Sequence, residues 1–226
     1  MNIDKERLKS EAPESGMCFF LSVSSVPYRW QIYYRERMRI IAGEFRSRVL
    51  LAPKTDATRP ITDRVKQSLF DILSPTIPGA RVYDCFAGTG SMGLECLSRG
   101  AEFATFFEME KSAVALLRRN IAALGVADRC DVVDRDLFRW FDSTGTTSDR
   151  VGLVFLDPPY RMVREEVGKL VDLIERIVDR HLAEDGRIVF RHDAGDALSF
   201  DRLRVVDERV YGAMKIELLG RAQVMG

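Results

Sequence analysis

From Ala80 onward the apolar positions fall into short runs separated by longer stretches with helical spacing. The runs at Arg81–Asp84, Phe103–Glu108, Cys130–Val133, Val151–Leu156 and Arg187–Arg191 have the length of strands. Between them, residues 91–99, 110–124 and 163–181 carry helix-like patterns. Strands alternating with helices of this length predict βαβ units and a mostly parallel sheet covered on both faces. After Asp193 the pattern changes, and Leu203–Val206 and Ala213–Leu219, joined around Tyr211 and Gly212, predict a final strand pair. The expectation is an α/β fold with a Rossmann-like, mostly parallel seven-stranded sheet.

Upstream, RPITDRVKQSLFDIL (residues 59–73) places Val65, Leu69, Ile72 and Leu73 on one helical face, with Thr62 or Asp63 available as the N-cap. RIIAGEF and SRVLLAP, following Met38, predict two short strands around Gly43, a β-hairpin. Residues 1–37 show no sustained period and precede a second methionine, Met38, so they read as a flexible extension or as sequence ahead of the true start. The expected division is 1–37 as that extension, 38–58 as a basic hairpin arm, and 59–226 as the main, catalytic domain.

Composition narrows the function classes. Of 226 residues, 46% are hydrophobic and 30% charged, ordinary for a globular chain, and 34 Lys+Arg balance 34 Asp+Glu. That neutrality argues against a strongly basic nucleic-acid binder and against an acidic disordered chain. The average conceals a local excess: residues 29–66 hold ten basic and four acidic residues, with Tyr28, Trp30, Tyr33, Tyr34 and Phe45 interleaved or adjacent. Phosphate contacts combined with stacking on unpaired bases is how looped RNA is commonly held. Cys18, Cys85, Cys96 and Cys130 form no C-x-x-C pair, and His181 and His192 are the only histidines, so neither a zinc site nor a disulfide framework is expected. The longest apolar stretch, Met17–Val26, is too short to span a bilayer and follows a net-acidic segment, which points to a cytoplasmic protein with no membrane partner.

Two motifs carry candidate chemistry. The first predicted strand runs into Asp84-Cys-Phe-Ala-Gly88-Thr-Gly90-Ser-Met-Gly93, a literal G-x-G-x-x-G, and Glu108 follows 20 positions after Gly88. That is the dinucleotide fingerprint, so a nicotinamide-dependent oxidoreductase is one reading. A carboxylate just ahead of the glycines is badly placed for a pyrophosphate and well placed for a cation. S-adenosylmethionine, with its sulfonium and ammonium and no phosphate, suits it better. Asp84 would then face the methionine end and Glu108 the ribose hydroxyls. Met109 would lie against the adenine, with core packing as its alternative. Asp136, beside Leu137, would accept from the adenine amine or else cap the following helix.

The second motif is Asp157-Pro158-Pro159-Tyr160, directly after the VGLVFL run. Successive prolines fix two φ angles and remove two N–H donors, leaving an acceptor array of the Asp157 carboxylate and the Pro158 carbonyl. Tyr160 offers a ring for stacking. Accepting both hydrogens of an exocyclic amine conjugated to an aromatic ring frees its lone pair for attack on a sulfonium methyl. The bland alternative is a plain Asp-Pro turn. His181 and His192 read as helix-end or surface residues, and Cys85 and Cys96 as small packing residues with no activating neighbour.

Four segments, MRIIAGEFRSRVL, RPITDRVKQSLFDIL, DCFAGTGSMGLECLSRGA and LDPPY, resemble the RsmD-type methyltransferases, which modify the N2 amine of a guanine in bacterial 16S ribosomal RNA. The resemblance covers Met38 to about Leu219. It implies a class I S-adenosylmethionine-dependent methyltransferase, with S-adenosylhomocysteine as product and no metal. By it, Asp84, Gly88, Gly90, Glu108 and Asp136 line the cofactor site, and Asp157, Pro158 and Tyr160 hold the target, nominally guanine 966. Arg39, Arg46, Arg48, Arg59 and Arg64 are the candidate RNA contacts. The partner implied is 16S rRNA within a small-subunit particle or assembly intermediate, met by a monomer. Adenine-N6 methylation of DNA or RNA is the neighbouring alternative, because D-P-P-Y serves both amines.

Overall fold

The computed structural model of the chain describes residues 38–53, 61–196 and 198–222. Its strands are β1 (Arg81–Cys85), β2 (Phe103–Phe107), β3 (Cys130–Val133), β4 (Val151–Leu156), β5 (Leu182–Asp193), β6 (Leu203–Tyr211) and β7 (Met214–Arg221). They form one sheet in the order β3-β2-β1-β4-β5-β7-β6. The first five are parallel, and β7 runs antiparallel between β5 and β6. The expected seven-stranded, mostly parallel α/β sheet is therefore what the chain forms. From β1 the chain moves outward to β2 and β3, then returns to place β4 on the other side of β1. Connections leave β1 and β4 in opposite directions at such a switch point and open a crevice beyond the strand ends.

The helices are α1 (Asp63–Leu73), α2 (Ser91–Ser98), α3 (Lys111–Leu124), α4 (Leu137–Ser143), α5 (Tyr160–Glu165) and α6 (Val167–Arg180). Two apolar cores flank the sheet. One gathers Ile40, Leu50, Leu69, Phe70, Leu94 and Leu117 from residues 38–53, α1, α2 and α3. The other gathers Leu137, Phe141, Leu170, Leu173, Ile174 and Ile177 from α4 and α6. The N-cap of α1 is Thr62, whose side chain accepts from the Val65 N–H.

Several boundaries differ from the sequence reading for identifiable reasons. β5 begins at Leu182, which pairs with Val151; the polar Ala183–Gly186 is passed over by a register shift before pairing resumes at Leu153 and Arg187. β6 runs on to Tyr211 as the edge strand, where most of its residues face solvent and the apolar alternation fades. The stretch expected as one helix over 163–181 is two, α5 and α6, broken at Glu166 with φ −127°. The N-terminal hairpin reduces to a single antiparallel bridge between Arg39 and Val49. It does not stand away as an arm. Gly43, at φ +83°, packs so closely that a Cβ there would meet the Ser98 carbonyl oxygen at 1.9 Å, and Glu44 N–H donates to that same oxygen at 2.8 Å.

That docking is organised by a buried ion pair. Lys66, 2% exposed, and Glu95, fully buried, meet at 3.0 Å. Glu95 also accepts from the Ile41 and Ala42 N–H groups at 2.8 and 3.0 Å and from Arg99 Nε at 2.8 Å. Lys66 Nζ further donates to the Arg39 carbonyl and to Ser91 Oγ, each at 3.1 Å. Burial alone would raise the Glu95 carboxyl, but the Lys66 ammonium and these donors outweigh it and hold it below its ordinary value. Removing one partner of such a pair leaves an uncompensated buried charge. Glu95→Ala is expected to lose about 3–5 kcal/mol of stability in urea unfolding, and Lys66→Met combined with Glu95→Met should recover most of that loss. Equal stability of Glu95→Ala and the parent would contradict the account.

Candidate active site

Beyond the C-terminal ends of β1, β2, β4 and β5 lies a cavity of about 820 Å³. Asp84 reaches it from the buried end of β1, where its Oδ2 accepts the Gly93 N–H at 2.8 Å. Burial drives the Asp84 carboxyl up to about 7, the Gly93 N–H opposes this, and the negative charges of Asp157 and Glu108 add to it. The turn after Asp84 is conformationally demanding. Phe86 sits at φ +61° and Gly88 at φ +56°; a bulky side chain in the left-handed region is a true outlier, found where the surroundings over-determine it.

The three glycines of the loop do different work. Gly88 lies on the cavity wall, and its N–H donates to Glu108 Oε2 at 2.8 Å. A Cβ on Gly88 would meet nothing within 4 Å. Gly90, at φ +84°, is the N-cap of α2 and is not among the lining residues. Cβ atoms on Gly90 and Gly93 would approach Leu117 at 2.5 Å and Phe106 at 2.4 Å. Their glycine identity is thus explained by close packing against α3 and β2.

Glu108 follows β2 with its Oε1 accepting the Glu110 N–H at 2.8 Å, so both carboxylate oxygens are already oriented by backbone donors. Met109 is 68% exposed and lines the cavity, which removes core packing as its role. Asp136 also lines it, but its Oδ1 caps α4 by accepting the Phe138 and Arg139 N–H groups at 2.8 and 3.4 Å. Leu137 is buried beside it, on the wall.

Asp157 and Pro158 extend β4 into the same cavity, and Tyr160, 43% exposed, opens α5 at its mouth. The Pro159 carbonyl accepts the Met162 N–H at 2.8 Å, so the turn passes directly into a helix. Asp157 has a partner the sequence reading missed. Arg191 Nε donates to Oδ1 at 2.6 Å and Nη2 pairs with Oδ2, a two-pronged contact. Burial pushes the Asp157 carboxyl up, with the Arg191 guanidinium pulling the other way. A signal for the pairing existed: the apolar runs of β4 and β5 end on opposite charges, and Leu156 pairs with Phe190 in register.

His181 is the C-cap of α6, and His192 lies within β5; both are fully buried and neither is a surface residue. His181 sits among Tyr83, Trp140 and Phe141, and burial lowers it to about 4. Cys85 and Cys96 are fully buried with thiols pushed well up by burial, as packing residues should be. Among the RNA candidates, Arg46, Arg48 and Arg64 are exposed, Arg39 bonds Asp63 at 2.6 Å, and Arg59 lies outside the described residues. Among the described residues no cluster of three or more His, Cys, Asp or Glu could hold a metal, and no helix is long and apolar enough to cross a membrane.

The Asp84 environment has a measurable consequence. A cation bound beside it favours the carboxylate, so binding releases a proton below about pH 7. Affinity for S-adenosylmethionine in isothermal titration should rise with pH, by up to about tenfold per unit between roughly pH 5.5 and 7, then level off. Asp84→Asn should flatten the profile. A pH-independent affinity of the unsubstituted protein over that range would contradict the assignment.

Comparison with known proteins places the chain. The family model described as Conserved hypothetical protein 95 matches residues 38–220. Ribosomal RNA small subunit methyltransferase D of Escherichia coli (strain K12) is 40% identical over 138 residues, covering 60% of this chain and 68% of that protein. A solved Escherichia coli structure, provisionally titled methyltransferase yhhF, superposes with a TM-score of 0.70 at 34% identity, covering 82% of this chain and 98% of that one. More distantly, SMU.776 in complex with S-adenosylhomocysteine shares the fold, with a TM-score of 0.55 at 17% identity over 70% of this chain and 50% of that one. The chain belongs to the Conserved hypothetical protein 95 family, is a relative of the small-subunit rRNA methyltransferases D, and is an S-adenosylmethionine-dependent methyltransferase of the Rossmann-like class I fold.

Proposed function

We propose that the chain methylates the exocyclic N2 amine of one guanine, nominally guanine 966, in bacterial 16S rRNA within the small subunit or its precursor. The observation that carries this reading is the convergence of two motifs in one cavity, lined by Asp84, Gly88 and Glu108 from the first and by Asp157, Pro158 and Tyr160 from the second. The residues present fit the cofactor. Asp84 supplies a buried carboxylate for a cationic methionine end, and Glu108, held by the Gly88 and Glu110 N–H groups, presents its remaining lone pairs for hydroxyls. The cofactor supplies an electrophilic methyl group: the amine lone pair forms the N–C bond and the S–C electron pair remains on sulfur.

The protein's part is orientation and charge. Asp157 and the Pro158 carbonyl accept the two amine hydrogens, which draws the nitrogen lone pair out of conjugation. The positive charge that develops on nitrogen is stabilised by the carboxylate, and the proton then leaves to water at the open mouth beside Tyr160. Tyr160 stacks on the extruded base. Arg46, Arg48 and Arg64 contact backbone phosphates around it. The 40% identity to an enzyme named for the small-subunit rRNA supports the substrate class.

Mass spectrometry of rRNA nucleosides, mapped by position, in a strain lacking the gene should show loss of one N2-methylguanosine in 16S rRNA. Restoration by the intact protein but not by Asp157→Ala is expected, with cofactor affinity of that variant within a few-fold. Loss of an N6-methyladenosine instead would move the reading to the adenine alternative. Arg46→Ala with Arg48→Ala should weaken RNA association and make the plot of log affinity against log salt shallower by roughly 0.7 per lost phosphate contact. An unchanged slope would remove both arginines from the interface.

A further inference from the structure

We propose that Arg191 is a positioning residue that keeps Asp157 a fixed, acceptor-only group for the hydrogens of the target amine. The inference rests on the guanine reading above and adds a residue to it. Asp157 and Arg191 stand at the ends of the neighbouring parallel strands β4 and β5, one residue beyond the Leu156–Phe190 pair, and both line the cavity. Arg191 Nε and Nη2 take one oxygen each of the carboxylate, and the other guanidinium nitrogen, Nη1, meets Met214 Sδ at 3.9 Å. Pro158 fixes the backbone that follows Asp157. With the fork in place the carboxylate plane is fixed too, and each oxygen keeps a lone pair that the arginine does not use.

The charge state of the carboxyl makes this matter. An ionised carboxyl only accepts, so it can take an amine hydrogen and stabilise the positive charge that develops on nitrogen; a protonated carboxyl loses that charge complementarity. The step therefore needs the charge on Asp157.

The surroundings oppose that charge. Asp84 on β1 and Glu108 after β2 face the cavity with the same sign, and Glu110, Asp136 and Glu166 add three more carboxylates at its walls. Arg135 ahead of α4 and Lys169 on α6 are the other cations of the lining, both exposed to solvent. Arg191 is the cation in contact with Asp157, and its side chain is 18% exposed. Burial raises the Asp157 carboxyl, and the guanidinium is the influence that restrains it.

The test compares the parent protein, Arg191→Met and Arg191→Lys by two readouts. Carboxyl ¹³C NMR, with Asp157→Asn for assignment, follows the titration of Asp157 without any substrate. Single-turnover methylation of small subunits purified from a strain lacking the gene gives the pH–rate profile. In Arg191→Met the Asp157 titration and the acid limb of the rate should both move up by at least about one pH unit, a tenfold or larger loss of rate on that limb. Arg191→Lys should keep the limb near its original place with a lower plateau, because charge is retained and the fork is lost. Unmoved titration in Arg191→Met overturns the proposal. So does a uniform rate loss with no shift of the limb, which a merely structural role would give. If Arg191→Met does not fold, a Lys variant that titrates and turns over like the parent overturns the claim that the fork positions the carboxylate. A parent protein that leaves guanine N2 unmethylated while Asp157 still answers to Arg191 would refute the base assignment alone.

Discussion

The buried contact between Lys66 and Glu95 ties together parts of the chain that no run of backbone hydrogen bonds connects. Two charges withdrawn from water are retained only if their remaining hydrogen-bonding capacity is met. Here it is met by the segments that must be placed: the Ile41 and Ala42 N–H groups, the Arg39 carbonyl, Arg99 and Ser91. Ser91 is the first residue of α2, immediately after the glycine loop. Lys66 therefore sets the position of α1 against the same loop that shapes the cofactor wall. Leu69, one turn further along α1, lines the cavity directly. The family-like helix is thus an internal brace of the site as much as a surface for a partner.

The cavity follows from where the parallel strands stop. Asp84, near the end of β1, and Asp157, just beyond β4, stand at the point where the strand order reverses, and the connections part there. Three carboxylates, Asp84, Asp157 and Glu108, consequently face one space. Like charges gathered in a poorly solvated site raise one another's pKa, and a cationic ligand relieves that repulsion. The chain resolves each carboxylate differently: Asp84 holds a single backbone donor, Glu108 two, and Asp157 a guanidinium fork. The end of β1 is thereby left electrostatically incomplete, suited to a cation, while the Asp157 charge beyond β4 is already balanced.

What the sequence disclosed and withheld divides along physical lines. Apolar runs ending in Asp84 and Asp157 could be read because burial and strand length leave a local trace. The split at Glu166 could not, since the apolar face of α6 continues the pattern of α5 across the break. The literal G-x-G-x-x-G was legible as a motif but not as a division of labour, because only packing against Leu117 and Phe106 reveals why Gly90 and Gly93 lack side chains. The burial of His181 and His192 was not legible because strand and helix ends are usually exposed, whereas here an aromatic cluster and the β5–β7 ladder cover them. Lys66 was counted with the basic cluster. Its charge is spent on Glu95, 29 positions away, a distance over which one sequence without relatives carries no pairing signal.

That last misplacement changes the electrostatic argument for RNA. Residues 29–66 hold ten basic and four acidic residues. Yet Lys66 is buried and Arg39 is held by Asp63. Among the described residues of the segment, Arg46, Arg48 and Arg64 are the cations that face solvent free of an ion pair. Phosphate contacts limited to these three described cations would give a shallow salt dependence and weak attraction to loose RNA. On the proposed reading, selectivity then has to come from a shaped target and from the base pocket, where Asp157, Pro158 and Tyr160 meet the nucleotide only after it has left its stack. A neutral chain acting on RNA is no contradiction once recognition rests on the geometry of one extruded base more than on net charge.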